Sequence, residues 1–260
     1  MKIEIANLCF SYGREAVIAG ADLTVESGTV IGLVGANGAG KTTLLKLIGR
    51  LIPADSGSIR LDGRDLRRFS GRGLARRRAF LPQLHTAPPD ITVEELAAFG
   101  RFPYRSAWRP AAAGDGGKVN EAIALAGLWH LRHRRLGTLS GGERQRAWLS
   151  LALAQEPELL LLDEPATFLD PAGQFQVMEL VARLNRELGI TVVMVLHDLN
   201  FAVRCTQKIA ALVEGRLVEY DDPAQILAPE TLRTVFGLDA GALPGADGLP
   251  YLLPKPMFTK

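Results

Sequence analysis

Gly35-Ala36-Asn37-Gly38-Ala39-Gly40-Lys41-Thr42 packs three glycines, a lysine and a hydroxyl into eight residues, a spacing suited to holding phosphate. Glycines let the backbone bend until its N–H groups face an anion, with a helix amino terminus behind them. Lys41 then offers a point charge to β- and γ-phosphates, the Thr42 hydroxyl ligates Mg²⁺, and Thr43 lies within reach of an α-phosphate. A plain glycine-rich turn could share the pattern, so the flanks decide. The apolar run at 30–34 and the helix-forming Leu44-Leu45-Lys46-Leu47-Ile48 supply the strand and helix that a phosphate loop requires.

Four leucines at 159–162 precede Asp163-Glu164. An apolar strand of this kind delivers a carboxylate to its carboxyl end, where ligands of open α/β sheets bind. Asp163 would hold Mg²⁺ through water, and Glu164 would polarise an attacking water as general base. The alternative is a strand that ends in acidic turn residues.

These groups need a frame. Residues 2–10 and 21–26 alternate as half-buried strands do, and 190–196 is apolar throughout like 159–162, which suits parallel strands covered on two faces. Phe175, Met178, Val181, Leu184 and Leu188 mark one face of a helix between those two runs. The βαβ alternation predicts an α/β fold with a doubly wound, mainly parallel sheet. Helical periodicity at 93–99, 118–126 and 143–155, with a Pro/Gly/Arg-rich connector at 108–117, reads as a helical insertion over about 84–157. A nucleotide-binding core then comprises about 1–83 and 158–240. A hairpin is expected at 209–219 with Glu214-Gly215 at its turn, and 241–260 forms an irregular extension.

With 260 residues and a net charge of +2, the composition says little about partners, since a nucleic-acid binder usually shows a stronger, clustered basic excess. The amino-terminal residues read as a strand and lack a signal peptide's apolar core, and no run approaches the roughly 20 apolar residues of a membrane span. Cys9 and Cys205 are far apart without metal-ligand spacing and read as reduced, buried thiols. The arginines at 67, 68, 72, 76, 77 and 78 read as a solvated helix face, with lipid headgroups or nucleic acid as the alternatives.

Leu139-Ser140-Gly141-Gly142-Glu143 is a loop leading into a helix, where small residues expose N–H groups and a hydroxyl to an anion. As a bare pattern it is equally a helix cap. Between the phosphate loop and the Asp163-Glu164 strand, however, it resembles the signature of the ABC transporter ATPase family, LSGGQ or LSGGE. That resemblance covers nearly the whole chain. It implies a P-loop NTPase core, with an antiparallel β subdomain beside the main sheet and a helical subdomain inserted. It also implies ATP and Mg²⁺ as ligands and a head-to-tail homodimer, in which Ser140, Gly141 and Gly142 of one copy meet the γ-phosphate held by Lys41 of the other.

Further residues match that family by position. Tyr12 resembles the aromatic that stacks on adenine, with a strand-end core aromatic as the alternative. Gln83 resembles the glutamine that senses Mg²⁺ and water, although a surface amide would look the same. His197 resembles the switch histidine on the γ-phosphate, where a structural histidine is the plain alternative. Thr167-Phe168 departs from the commoner serine-alanine pair of the loop that ends in Asp170.

A single nucleotide domain resembles importers assembled from separate chains. The stretch at 91–104 is similar to the TVxELVxxGRxP segment of iron-siderophore, haem and cobalamin importers, and SGGERQRAW at 140–148 is similar to ferric hydroxamate siderophore ATPases. The implied partners are permease subunits, docking near 84–109, and indirectly a substrate-binding protein, with the chain peripheral on the cytoplasmic membrane face. The competing classes are a soluble ABC factor acting on ribosomes or DNA and a P-loop kinase or GTPase. The first usually carries two nucleotide domains or a long coiled coil. The second would leave Ser140–Glu143 without a purpose.

Overall fold

The structure, a computed structural model, describes residues 1–105, 115–220, 222–245 and 248–253. Its first elements are β1 (Ile3–Tyr12), β2 (Glu15–Val25), β3 (Val30–Val34), α1 (Lys41–Ile48), β4 (Ser56–Leu61) and β5 (Arg64–Asp65). Next come α2 (Gly71–Ala75), β6 (Arg78–Leu81), α3 (Val93–Phe99), α4 (Asp115–Leu125) and α5 (Gly141–Ala154). Then follow β7 (Leu159–Asp163), α6 (Pro171–Leu188), β8 (Thr191–Val195), α7 (Leu199–Cys205), β9 (Lys208–Val213) and β10 (Arg216–Tyr220). The last are α8 (Pro229–Phe236), β11 (Gly241–Pro244) and β12 (Pro250–Leu253). Two compact units result: a mid-chain unit of Met1 and Arg67–Val192, and a split unit of Lys2–Leu66 with the described residues from Val193 on. The expected boundaries at 83/84 and 157/158 both fall inside the mid-chain unit.

In the split unit, β2, β1, β4 and β5 form an antiparallel sheet in that order. Alternation along β1, shifted by a register irregularity between Ile5 and Leu8, buries Ile3, Ile5, Leu8 and Phe10. A second run of strands is ordered β10-β9-β3-β8, with β3 and β9 parallel. β3 is buried along its whole length, as a strand covered on both faces must be. β9 and β10 are the hairpin expected from sequence, with positive φ at both Glu214 and Gly215, as a two-residue loop prefers.

In the mid-chain unit β6 and β7 pair in parallel, with Leu81 opposite Leu162. The leucines of β7 are fully buried. α6 is bounded by Asp170, which accepts the Gly173 N–H at 2.8 Å, by Pro171 in its first turn, and by Gly189 with positive φ at its end. Its buried set is Val177, Met178, Leu180, Val181 and Leu184, whereas Phe175 and Leu188 of the expected stripe are exposed. The antiparallel sheet, mostly parallel strands and helices bear out the expected α/β class.

Four expectations are corrected. α4 starts at Asp115, earlier than Lys118, because Asp115 is buried against Arg101 (Nε to Oδ1 3.0 Å) and this anchor outweighs two glycines in the first turn. The rest of the 108–117 connector lies outside the described residues. The arginine run is no single helix face: it crosses a 3-10 turn, α2 and β6, Arg77 grips both oxygens of Glu158 at 2.7 Å, and Arg76 lies 5.0 Å from the Tyr104 ring. The extension is not irregular throughout, since β11 and β12 pair within it; residues 254–260 lie outside the described set. Cys9 and Cys205 form no disulfide, as expected, but are half-buried.

Candidate functional site: a phosphate cradle and a braced carboxylate

In the split unit, β3 ends at Val34, and the loop from Gly35 to α1 requires a backbone that only glycine supplies cheaply. Gly35 has φ +142° and Gly40 φ +98°. A side chain at Gly35 would stand 2.5 Å from the Leu212 carbonyl oxygen, and one at Gly40 2.6 Å from Val17 Cγ1. The loop therefore lies tight against its own unit. Lys41, the first residue of α1, is 6% exposed, and its Nζ donates to the carbonyls of Gly35 (3.0 Å) and Ala36 (2.9 Å). The ammonium is thus held inside the curl of the loop, beside a helix amino terminus that has no acidic residue in its first turn. Asn37, Gly38 and Ala39 form the exposed or half-exposed rim of the curl, Thr42 is half-buried and Thr43 is buried. Tyr12 is 52% exposed and meets Phe10 edge-on at 4.8 Å, leaving much of its ring accessible for stacking. His197 is exposed, just past β8 and one residue before Asp198, which caps α7 through the N–H groups of Asn200 (2.7 Å) and Phe201 (3.1 Å).

In the mid-chain unit, β7 carries Asp163 to its carboxyl end, 4% exposed. The chain then turns sharply: Glu164 has φ +52°, a conformation that a glutamate rarely adopts. Its Oε2 accepts hydrogen bonds from Gln83 Nε2 (2.5 Å) and Thr167 Oγ1 (3.0 Å). Strand register explains the first contact. Gln83 and Glu164 each lie two residues beyond the paired Leu81 and Leu162, so parallel pairing sets them side by side. The sequence-based reading picked out Gln83 and Glu164 but missed Thr167 as a brace. The departure at Thr167-Phe168 was the available signal. Phe168 itself is 83% exposed with φ +66°.

Ser140 caps α5, its Oγ accepting the Glu143 N–H at 3.3 Å while Glu143 Oε2 accepts the Ser140 N–H at 2.8 Å. The cap reading is therefore physically true, and the backbone N–H of Ser140, then its hydroxyl, holds the Glu143 carboxyl below its usual range. Ser140 is nevertheless exposed. With Gly141, Gly142, Phe168, Asp170 and Gln176 it lines a cleft of about 370 Å³. A cap and an anion contact need not exclude one another, because the Gly141 and Gly142 N–H groups lie in the helix's first turn.

His85 is a residue the sequence gave no reason to single out. Two residues past Gln83, its ring lies 4.5 Å from Trp148 of α5, and its Nδ1, 3.1 Å from the Pro82 carbonyl, is the donor to that oxygen. Burial pushes its pKa below the usual histidine range, and the charge of Arg144 adds to this, against opposing bonds to Pro82 and Gln145. The unfolded chain therefore takes up this proton more readily, and stability falls as pH drops from about 6.5 toward the depressed folded value. His85→Phe, which keeps a ring against Trp148, is expected to flatten that slope in denaturant melts at about pH 5.5 and 7.5. An unchanged slope would show that another group carries it.

The stretch matched to permease docking divides in two. Val93, Leu96, Ala97 and Arg101 are buried, and Arg101 acts as an internal brace, reaching the Ala154 carbonyl (2.7 Å) and Glu156 (2.8 Å) with Tyr104 stacked at 3.8 Å. Leu84, Phe99 and Phe102 are exposed, and 106–109 lie outside the described residues.

A family model described as "ABC transporter" matches residues 18–167. The chain is 38% identical to the petrobactin import ATP-binding protein FpuC of Bacillus anthracis, across 99% of its own length and 94% of the relative's. It is 37% identical to the iron(3+)-hydroxamate import ATP-binding protein FhuC of Bacillus subtilis, across 90% and 87%. It is 38% identical to the hemin import ATP-binding protein HmuV of Bordetella bronchiseptica, across 94% and 95%. Among solved structures, a chain from a transporter assigned to the metal-chelate type, in an inward-facing conformation, superposes with TM-score 0.84 at 26% identity, covering 97% and 96% of the two chains. A dimeric ATP-binding cassette in a post-hydrolysis state with ADP and Pi superposes with TM-score 0.71 at 27% identity, covering 84% and 97%.

Proposed function

We propose, from the premise that this chain belongs to the ABC transporter family, that it is the ATP-hydrolysing subunit of a bacterial importer of ferric siderophores, the hydroxamate class foremost. The observation that carries the chemistry is the Glu164 carboxylate, fixed by Gln83 and Thr167 at the end of β7. A base held by two donors keeps one orientation toward an attacking water. Gly35, Asn37, Gly38, Ala39 and Gly40 cradle the phosphates of ATP, Lys41 neutralises the β- and γ-phosphates, and Thr43 reaches the α-phosphate. Tyr12 stacks on adenine. His197 contacts the γ-phosphate, and Gln83 senses metal and water.

Mg²⁺ fits the donors available, since the Thr42 hydroxyl, the Asp163 carboxylate and the Gln83 amide oxygen are hard oxygen ligands, few in number, as expected for an ion that keeps several waters. It would neutralise charge on the transferring phosphoryl. Ser140, Gly141 and Gly142 serve the γ-phosphate of a second copy in a head-to-tail homodimer, a reading supported by the dimeric cassette among similar structures. Within this reading, the nucleotide-binding core is 1–83 with 158–240, 84–157 is the helical subdomain, and 241–260 is an extension.

Among the described residues no helix is long and apolar enough to cross a membrane. Attachment at the cytoplasmic membrane face would come from permease subunits, for which exposed Leu84, Phe99 and Phe102 offer an apolar surface. A substrate-binding protein takes part indirectly, and no nucleic acid is involved.

Reconstitution with its permease, offering ferric hydroxamates, ferric catecholates, haem and cobalamin side by side, tests the substrate. Uptake of a ferric siderophore is expected. Uptake of haem or cobalamin alone would establish the second reading, which the similarity to a hemin import protein keeps in view. Lys41→Ala is expected to weaken ATP binding about 10- to 100-fold, the worth of charge-assisted contacts to phosphate. Equilibrium titration with a fluorescent ATP analogue measures it, and unchanged affinity would remove the cradle assignment.

A further inference from the structure

The β11–β12 ribbon belongs to the split unit, where an isolated two-stranded hairpin is only marginally stable without a support. That support comes from one face of α7 and from the 3-10 turn Pro223–Leu227. Asn200 Oδ1 accepts the Leu252 N–H at 2.8 Å, so a side chain of the helix takes the place of a third strand for one backbone group. One turn further on, the Arg204 guanidinium lies 3.4 Å from the centre of the Tyr251 ring, and its Nη1 is 3.4 Å from the Pro250 carbonyl. Asn200 and Arg204 stand four apart and so share a face. These three contacts go to consecutive residues of β12: Pro250, Tyr251 and Leu252.

α7 has seven residues, too short to hold its own geometry in water, so its orientation is set by what packs on it: the hairpin, together with β3 and the 3-10 turn Pro223–Leu227. Its amino-terminal cap is Asp198, and His197 precedes that cap directly. A small rotation of two helical turns moves the residue at their entrance. Nothing in the phosphate or carboxylate chemistry uses Asn200, Arg204 or Tyr251, yet Asn200 stands three residues from the histidine read as touching the γ-phosphate.

We propose that the carboxyl-terminal hairpin is a strap that orients α7 and thereby places His197, making Asn200, Arg204 and Tyr251 positioning residues for ATP hydrolysis. This rests on the role given to His197 above. It also gives the extension a task in turnover, since its hold on α7 bears on the helix that starts two residues after His197. The strap acts after nucleotide binding, so its loss changes how fast bound ATP is cleaved and leaves the capture of ATP alone.

The test uses the full chain with Tyr251→Ala, Arg204→Ala and Tyr251→Phe, each also combined with His197→Ala. Tyr251→Ala and Arg204→Ala are expected to lower kcat about two- to fivefold with KM for ATP unchanged, the loss a partly exposed cation–ring contact supports. Tyr251→Phe keeps the ring and is expected to restore kcat, which a general loss of folding would not predict. In the His197→Ala background the further loss from Tyr251→Ala should disappear, because groups acting as one unit are not additive. Wild-type kcat in Tyr251→Ala and Arg204→Ala, beside an impaired His197→Ala, would overturn the strap alone, as would a full additive loss in the double variants. An unimpaired His197→Ala would overturn the strap together with the reading of His197. Should Arg204→Ala fail to fold, the Tyr251 pair decides.

Discussion

Glu164→Gln is expected to bind ATP as the original chain does and to lose turnover by about 10²- to 10⁴-fold, the share a general base commonly carries. The substitution is nearly isosteric. An amide oxygen can still accept from Gln83 Nε2 and Thr167 Oγ1, which hold Glu164 Oε2 at 2.5 and 3.0 Å, so the turn after β7 and its positive φ survive. What disappears is the proton-accepting charge. With binding intact and cleavage stopped, the ATP-loaded dimer should accumulate, visible by size-exclusion chromatography with light scattering. Phosphate release at the original rate would show that Glu164 is not the base, and loss of ATP affinity would show that it serves binding.

The second large effect is expected at Ser140, where a helix cap and a phosphate contact compete as explanations. Ser140→Arg places a bulky side chain in the cleft lined by Gly141, Gly142 and Phe168. It should abolish ATP-driven dimerisation and turnover while one copy still binds ATP. Losing the cap alone costs about 1 kcal/mol, too little to unfold an ordinary domain. Ser140→Asp separates the explanations. Aspartate caps as well as serine, so thermal stability should hold, but its charge opposes a γ-phosphate and dimerisation should still fail. Normal dimerisation of Ser140→Asp, together with normal turnover, would leave Ser140 as a cap and nothing more.

Much of this site was legible in the chain because its chemistry sits at element ends that local sequence marks. A run of apolar residues followed by glycines or carboxylates fixes where β3 and β7 stop, and hence where Lys41 and Asp163 begin. The Thr92 and Ser140 capping boxes announce α3 and α5 equally well. Illegible parts depend on partners distant in the chain. Arg101 fell within the stretch matched to permease docking, and its role as a brace shows only where Asp115 and Glu156 close around it; α4 began early for the same reason. Thr167 and His85 acquire meaning only once β6 and β7 are paired and α5 packs beside them. The β11–β12 ribbon lacked a strand signal because its proline and glycine content speaks against one, and its hold on Asn200 and Arg204 supplies what propensity does not.

The pairing of Leu81 with Leu162 acts as a ruler. Both Gln83 and Glu164 are measured off from it by the same two-residue step, so a single residue inserted in either step would carry one group past the other. Loops elsewhere in the chain can lengthen or shorten between homologous proteins at little cost. These two short spacers are where length itself is under constraint, whatever residues fill them.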